Sequence, residues 1–297
     1  MIQFKNRHFS VFESALFRTN SVVVETNDLI LVVDPTWLPH EVTAIRNHVD
    51  AIKNGRPVYL LFTHSDYDHI LGFGAFPEAY TIASQAFKDN SDREEQLRAI
   101  RKFDQEYYVR RPYKMCYPRV DIAVDDQTDF ITIGDTRLSF WMAPGHNGDG
   151  VFTLIEPLGI WIAGDYLSNE EFPFIYHSAE DYLKTLDKAE SIIKNRQPKY
   201  LIPGHGDVST DTSEMFSRLQ ESRDYIVRLR EAVTTGQRFP DEELWERYDF
   251  RMGQEEFHKK NIELIRKEYG IPTPVAPESD RVEPESRAVE LRTGSGV

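Results

Sequence analysis

Cysteine is nearly absent: Cys116 is the only one in 297 residues. A single thiol excludes a disulfide framework within the chain and a cysteine-built metal site. Long apolar runs are missing as well. No stretch approaches the roughly 18–20 apolar residues of a membrane helix, so no membrane partner is expected. Met1 to Ser10 carries Lys5, Arg7 and His8 without an apolar core. No secretory leader is therefore expected, and the cytoplasm is the default compartment. Positive charge is also scarce. Lys and Arg number 35 against 49 Asp and Glu, a formal net charge of −14. Tracking a phosphate backbone needs clustered basic side chains that release counterions, so long nucleic acids are not expected as partners. A small anionic substrate stays compatible, because bound metal ions can reverse the local potential.

What is present is a globular composition, 40% hydrophobic with 12% aromatic. Residues 21–34, S-V-V-V-E-T-N-D-L-I-L-V-V-D, read as two apolar strands around an Asn27-Asp28 turn. Residues 41–53 place apolar side chains at 42, 45, 49 and 52, a helical spacing. The run Val58 to Phe62 is wholly apolar and suits a strand covered on both faces. Strand, helix, strand predicts a layered α/β architecture. Further strands are expected at 80–83 and 200–203, and hairpins over 131–143 and 151–164. Helices are expected over 92–108, behind an N-cap at Ser178 up to Pro198, and over 212–235 and 255–269. Gly236 and Gly270 are the C-terminal stops of the last two. The chain then divides into a core over 1–210, a helical extension over 211–272, and a proline-containing, poorly ordered tail over 273–297.

Four polar clusters each lie at the end of an expected strand. They are His64, Asp66, Asp68 and His69; Pro144-Gly145-His146; Gly164-Asp165; and Pro203-Gly204-His205-Gly206. Alternate residues of an extended segment share a face, so His64, Asp66 and Asp68 could point together, while His69 needs a local turn. Four imidazoles and three carboxylates suit two divalent cations, which can activate water and clamp a substrate oxygen. Four of the nine histidines fall in these turns. The other five (His8, His40, His48, His177 and His258) are expected to be surface or hydrogen-bonded residues.

The set H-x-[H or D]-x-D-H, P-G-H, G-D and P-G-H-G, in that order from about Ser21 to Gly206, resembles the metallo-β-lactamase fold superfamily. The resemblance implies a four-layer αββα sandwich with a C-terminal helical extension. It implies a hydrolase that uses a metal-bound hydroxide, with two divalent metal ions (zinc, manganese or iron). One site would consist of His64, Asp66 and His146, the second of Asp68, His69 and His205, and Asp165 would bridge them. Asp34, in V-V-D-P, resembles the aspartate that supports the metal loop. Asp68 is the candidate catalytic proton carrier. Tyr166 is either a hydrogen-bond donor to substrate or a core-packed tyrosine.

Asp66 stands where the commonest form of the motif has histidine. Either the first site is lost and Asp66 faces water, or Asp66 is an oxygen ligand of an altered site. The retention of His64, His146 and Asp165 favours the second. Two divalent ions, three carboxylates and a hydroxide would leave the cluster near neutral, and the added hard ligand moves preference from zinc toward manganese or iron.

Residues 178–208 are similar to thioesterase and lactonase branches, in which a C-terminal helical region builds the substrate pocket. A small ester, thioester or lactone is the expected substrate. The rivals are a nucleotide-sized phosphodiester and a non-catalytic metal-binding scaffold. Arg218, Arg223 and Lys259 are candidate anchors for an acidic substrate or plain solvated charges. Oligomeric state is not legible.

Overall fold

Two sheets face each other in the computed structural model, which describes residues 1–272. The first runs in chain order through β1 (Ile2–Lys5), β2 (Phe9–Glu13), β3 (Asn20–Glu25), β4 (Ile30–Val33), β5 (Val58–Leu61), β6 (Tyr80–Ser84) and β7 (Ile122–Val124). Its strands pair antiparallel as far as β4 and parallel from β4 to β7. The second contains β8 (Phe130–Ile133), β9 (Thr136–Met142), β10 (Val151–Glu156), β11 (Ile160–Ile162) and β12 (Tyr200–Ile202). Its spatial order is β12-β11-β10-β9-β8, and β11 and β12 are its parallel pair.

Side-chain alternation along these strands sorts the apolar residues into layers. Leu31 and Val33 of β4 and Leu61 of β5 meet Leu138, Phe140, Ile155 and Ile162 between the sheets. Ile30, Val32 and Leu60 point the other way. They pack against Val42, Ile45 and Val49 of α1 (Pro39–Ile52), the crossover that joins β4 to β5. The short α2 (Tyr67–Ile70) and α3 (Gln85–Asp89), together with α4 (Arg93–Glu106), lie on this same flank. On the opposite flank, Phe152, Leu154 and Trp161 are covered by Tyr182, Leu186 and Ile193 of α5 (Ala179–Arg196). Helix, sheet, sheet, helix is the expected αββα sandwich. The Ser178 hydroxyl caps α5 by accepting from Asp181 N at 3.1 Å.

Residues 212–272 add α6 (Thr212–Thr235), α7 (Asp241–Arg247) and α8 (Arg251–Glu268). Leu219, Tyr225, Ile226 and Leu229 of α6 and Ile265 of α8 join the same apolar cluster as Trp161 and Leu186. Asn261 of α8 accepts from Ile175 N at 2.9 Å and donates to Pro173 O at 2.7 Å. Those bonds tie α8 to the loop that precedes α5. His258 is buried and meets the Tyr225 hydroxyl at 2.9 Å and Asp241 at 3.2 Å.

The pattern of the sequence did not reveal β1, β2, β7 or α7, and α8 starts at Arg251 instead of Glu255. The β1 strand is an edge whose anchoring is aromatic: Phe4 stacks on Phe9 with ring centroids 5.1 Å apart and meets the edge of Tyr200 at 5.8 Å. The tail expected over 273–297 lies outside the described residues.

Because Ile265 is fully buried in the cluster that also covers β11, Ile265→Ala should destabilise the protein by about 2–5 kcal/mol. Urea denaturation should show one shifted transition. A separate early transition for α6 to α8, with the rest unmoved, would mean that the extension is not part of the core.

Candidate metal centre

Parallel strands bring their C-terminal ends to one edge, and that edge holds the site. Asp34 follows β4, the His64 loop follows β5, Asp165 follows β11 and His205 follows β12. Two backbone bonds close the sheets over each other there: Val151 N donates to Thr63 O at 2.9 Å, and Asn20 N donates to Gly204 O at 2.7 Å. The backbone turns at Gly164, where φ is +52°. Gly204 is required for space, because a Cβ on it would fall 2.1 Å from Asp165 Oδ1.

All seven expected ligands converge. Three groups of donor atoms each fit within 4.8 Å: His64, Asp66 and His146; Asp68, His69 and His205; and His64, His69 and Asp165. Asp165 occupies the middle. Its Oδ2 lies 3.6 Å from His64 Nε2, 3.3 Å from His146 Nε2 and 3.3 Å from His205 Nε2. Its Oδ1 lies 3.1 Å from His69 Nε2. The turn that His69 needed is α2, whose N-cap is Asp66.

Each imidazole is held by its outer nitrogen. His146 Nδ1 donates to Phe174 O at 2.8 Å, and His205 Nδ1 donates to Phe17 O at 2.8 Å. His69 Nδ1 donates to Asp34 Oδ2 at 3.0 Å. Thr63 donates its hydroxyl to the same oxygen at 2.6 Å, so His64 Nδ1, 2.9 Å from Thr63 Oγ1, is the donor of that contact. With every Nδ1 protonated, all four Nε2 lone pairs aim inward, the arrangement that outer hydrogen bonds enforce on metal-binding histidines.

Asp66 points into the cluster and also lines the cavity above it. Its Oδ2 is 3.2 Å from His146 Nε2 and 3.6 Å from His64 Nε2, and Asn147 Nδ2 donates to its Oδ1 at 2.7 Å. Burial opposes its ionisation, but the hydrogen bond from His146 and the nearby His64 imidazole hold the carboxyl well below the usual range. Burial likewise opposes charge on Asp165, which the four surrounding imidazoles nevertheless keep ionised. Among the imidazoles, burial alone would lower His69 and His146, yet the Asp165 carboxylate raises both. Burial also works against His205, which Glu171 and Asp165 together push up to about 10.

The donor set fits metal ions by a further test. His64 Nε2, His69 Nε2 and Asp165 Oδ1 are buried without hydrogen-bond partners. A bare imidazole nitrogen facing a carboxylate oxygen at 3.1 Å sets lone pair against lone pair unless a cation or proton intervenes. The chain therefore presents a His/Asp site suited to divalent cations.

Some expected contributors sit elsewhere. The Tyr166 hydroxyl accepts from His146 N and donates to Ala143 O, each at 3.0 Å, and the residue is 3% exposed. It braces the His146 loop, and no donor is left over for a substrate. Arg218 is buried against Glu214 and donates to Asp207 O at 2.8 Å. Arg223 pairs with Asp187 and Glu190 of α5, and Lys259 with Glu255. None of the three lines the cavity above the cluster. That cavity, about 630 Å³, has Asp66, Asp68, Asp165 and His205 in its lining, with Phe17, Phe174 and Tyr176 above them. Nothing local in the chain singles out Asn147, Thr63 or Tyr176; only the P-G-H-N and F-T-H contexts place the first two beside ligands.

An αββα sandwich with a His/Asp cluster at its strand ends defines a class of metal-dependent hydrolases. A sequence model described as the Metallo-beta-lactamase superfamily matches residues 15–205. The chain belongs to that superfamily, and its fold is that of a superfamily hydrolase. Among solved structures it is similar to the metallo-beta-lactamase family protein TTHA1429 from Thermus thermophilus. Identity is 15% and the TM-score 0.60, over 89% of this chain and 95% of that one. It is also similar to a double mutant of the sec-alkyl sulfatase PisA1, at 11% identity and a TM-score of 0.62, over 90% of this chain and 49% of that one. The BLEG-1 B3 metallo-beta-lactamase aligns at 18% identity and a TM-score of 0.52, over 70% of this chain and 96% of that one. At these identities the likeness shows the fold. No curated protein matches the sequence.

Asp34 touches Thr63 and His69 but none of the inward nitrogens, so Asp34→Ala should act through orientation. Metal affinity, read by competition with a chromogenic chelator, should fall about 10–100-fold. Unchanged affinity would leave Asp34 as a fold residue alone.

Proposed function

We propose that the chain hydrolyses a small ester, thioester or lactone with two divalent cations, one held by His64, Asp66 and His146 and one by Asp68, His69 and His205. Asp165 lies between the two. The observation that carries this reading is the convergence of four inward Nε2 atoms and three carboxylates on the floor of a cavity sized for a small molecule. Cations bound there supply Lewis acidity and a nucleophile from water at neutral pH.

The chain's own residues do the rest. The outer bonds of His146 and His205 to backbone carbonyls fix the rings before substrate arrives. Asp68 is the proposed proton carrier, because it lines the cavity and keeps its carboxylate 3.6 Å from His205 Nε2. Burial pushes the neighbouring Glu171 up to about 7. Tyr67 and Tyr176, and not Tyr166, are the tyrosines that line the cavity.

A nucleotide-sized phosphodiester is the second reading, favoured by the carboxylate at Asp66. It meets an obstacle in the cavity wall, where Arg18 is engaged by Glu13, Glu170 and Asp207. The partner proposed is accordingly a small molecule, not a long nucleic acid.

Protein reconstituted in turn with zinc, manganese and iron, and assayed on a lactone, a thioester and bis-(p-nitrophenyl) phosphate, tests the reading. Two metals per chain with metal-dependent carbonyl hydrolysis is the expected result. Turnover of the phosphodiester alone would transfer the assignment to the second reading, and failure to retain metal would leave a scaffold. In the same assay Asp66→His should shift metal preference toward zinc. Unaltered preference would remove Asp66 from the ligand set.

A further inference from the structure

The cavity above the cluster carries charged side chains in its wall as well as at its floor, beside a set of large apolar ones. Its side walls come from three distant parts of the chain: Phe17 after β2, Phe174 and Tyr176 before α5, and Phe250, Met252 and Phe257 at the start of α8. Phe174 and Phe257 stack with centroids 4.3 Å apart, and Tyr176 lies 5.0 Å from the His146 ring, so the apolar wall descends to the metal ligands without a break. At the mouth it continues into solvent: Met252 is 99% exposed and Phe250 56%. Large apolar side chains grouped at the rim of a cleft mark a surface that something apolar covers.

Charge narrows the occupant. Apart from the metal ligands, the ionisable lining is Glu170, Glu171 and Asp249 against Arg18 and Arg251. Arg18 is engaged by three carboxylates, and Arg251 faces Glu255 at 3.4 Å. Arg18 is thus occupied, whereas Arg251 at the mouth meets Glu255 through Nε alone, and these two cations face three carboxylates in the lining. Gln254 Nε2 donates to Glu170 O at 2.8 Å, and its Oε1 is buried without a partner.

From these observations we infer that the wall formed by Phe17, Phe174, Tyr176, Phe250, Met252 and Phe257 is an acyl-chain subsite. The substrate is then an amphiphile, with its ester, thioester or lactone carbonyl at the cluster and a medium-to-long apolar chain running out over Phe250 and Met252. This rests on the hydrolase reading for the position of the carbonyl, but not for the binding of the chain.

Binding and turnover are therefore measured separately. Isothermal titration of the metal-loaded protein with n-alkanols, from butanol to decanol, should show Kd falling about two- to fourfold per added methylene, with a negative heat-capacity change. The double substitution Phe250→Ser with Met252→Asp, at exposed positions where folding is little affected, should flatten that dependence. On a p-nitrophenyl ester series from acetyl to decanoyl, kcat/KM should climb with chain length in parallel. Chain-dependent alkanol binding without turnover of any ester would remove the hydrolase reading and leave the subsite standing. Turnover with no chain-length dependence in Kd or kcat/KM would do the reverse and overturn the subsite. Decanol binding that the double substitution leaves intact would also overturn it. So would loss of self-association on the same substitution without chain-dependent binding, which would assign the rim to a second copy of the chain.

Discussion

Three carboxylates and four imidazoles pressed into one buried space set a charge constraint that the surrounding structure must satisfy. Ionised carboxylates are costly to bury unless positive charge is supplied close by. Here it can come from protons on the imidazoles or from metal ions. The Asp165 carboxylate raises His69 and His146, and Glu171 with Asp165 raises His205. In the absence of metal, protons therefore neutralise the cluster. Divalent cations and protons compete for the same inward nitrogens, so metal binding and proton release are one event.

That competition explains why the contacts around the cluster matter as much as the donors. Each Nδ1 has a fixed acceptor, so either a proton or a cation can occupy Nε2 without turning the ring. The fixing groups come from both sheets and from the loops between them: Phe17 O after β2, Asp34 after β4, Thr63 after β5 and Phe174 O before α5. Backbone bonds lace the sheets at this edge, from Val151 to Thr63 and from Asn20 to Gly204. Gly204 completes the arrangement by letting the backbone approach Asp165 more closely than any side chain would permit.

The donors were legible in the sequence because they are local: each sits in a short motif at the end of an apolar run, and runs and motifs both have recognisable spacing. Their supports were legible only in part. Asp34 could be read from V-V-D-P, but Asn147 and Thr63 look like any loop residues until the fold sets them beside Asp66 and His64. Sequence singled out Tyr166 beside Asp165 and passed over Tyr176; the fold turns the first into a brace for His146 and the second into cavity wall. Arg218 and Lys259 have their partners, Glu214 and Glu255, four residues away on their own helices, whereas Arg223 resembled a substrate anchor because a cation and its carboxylate partner can lie far apart in the chain, as Arg223 and Asp187 do. The cavity was illegible for the same reason: its walls draw on residues 17, 174–176 and 250–257.

Asp66 links the electrostatics of the floor to the character of the walls. With histidine there, two divalent ions, Asp68, Asp165 and a hydroxide would leave a cluster of net positive charge. With aspartate the same count comes to about zero. A positive floor would draw anionic substrates into the cleft even past acidic walls, because in a low-dielectric cleft a single charge acts over the whole pocket. A neutral floor would leave selection to the walls, and those carry phenyl rings and a thioether beside three carboxylates and two guanidinium groups. On the proposed two-ion reading the aspartate and the apolar wall would act on the same ligand, although one lies on the loop after β5 and the other draws on α8, nearly 200 residues later in the chain.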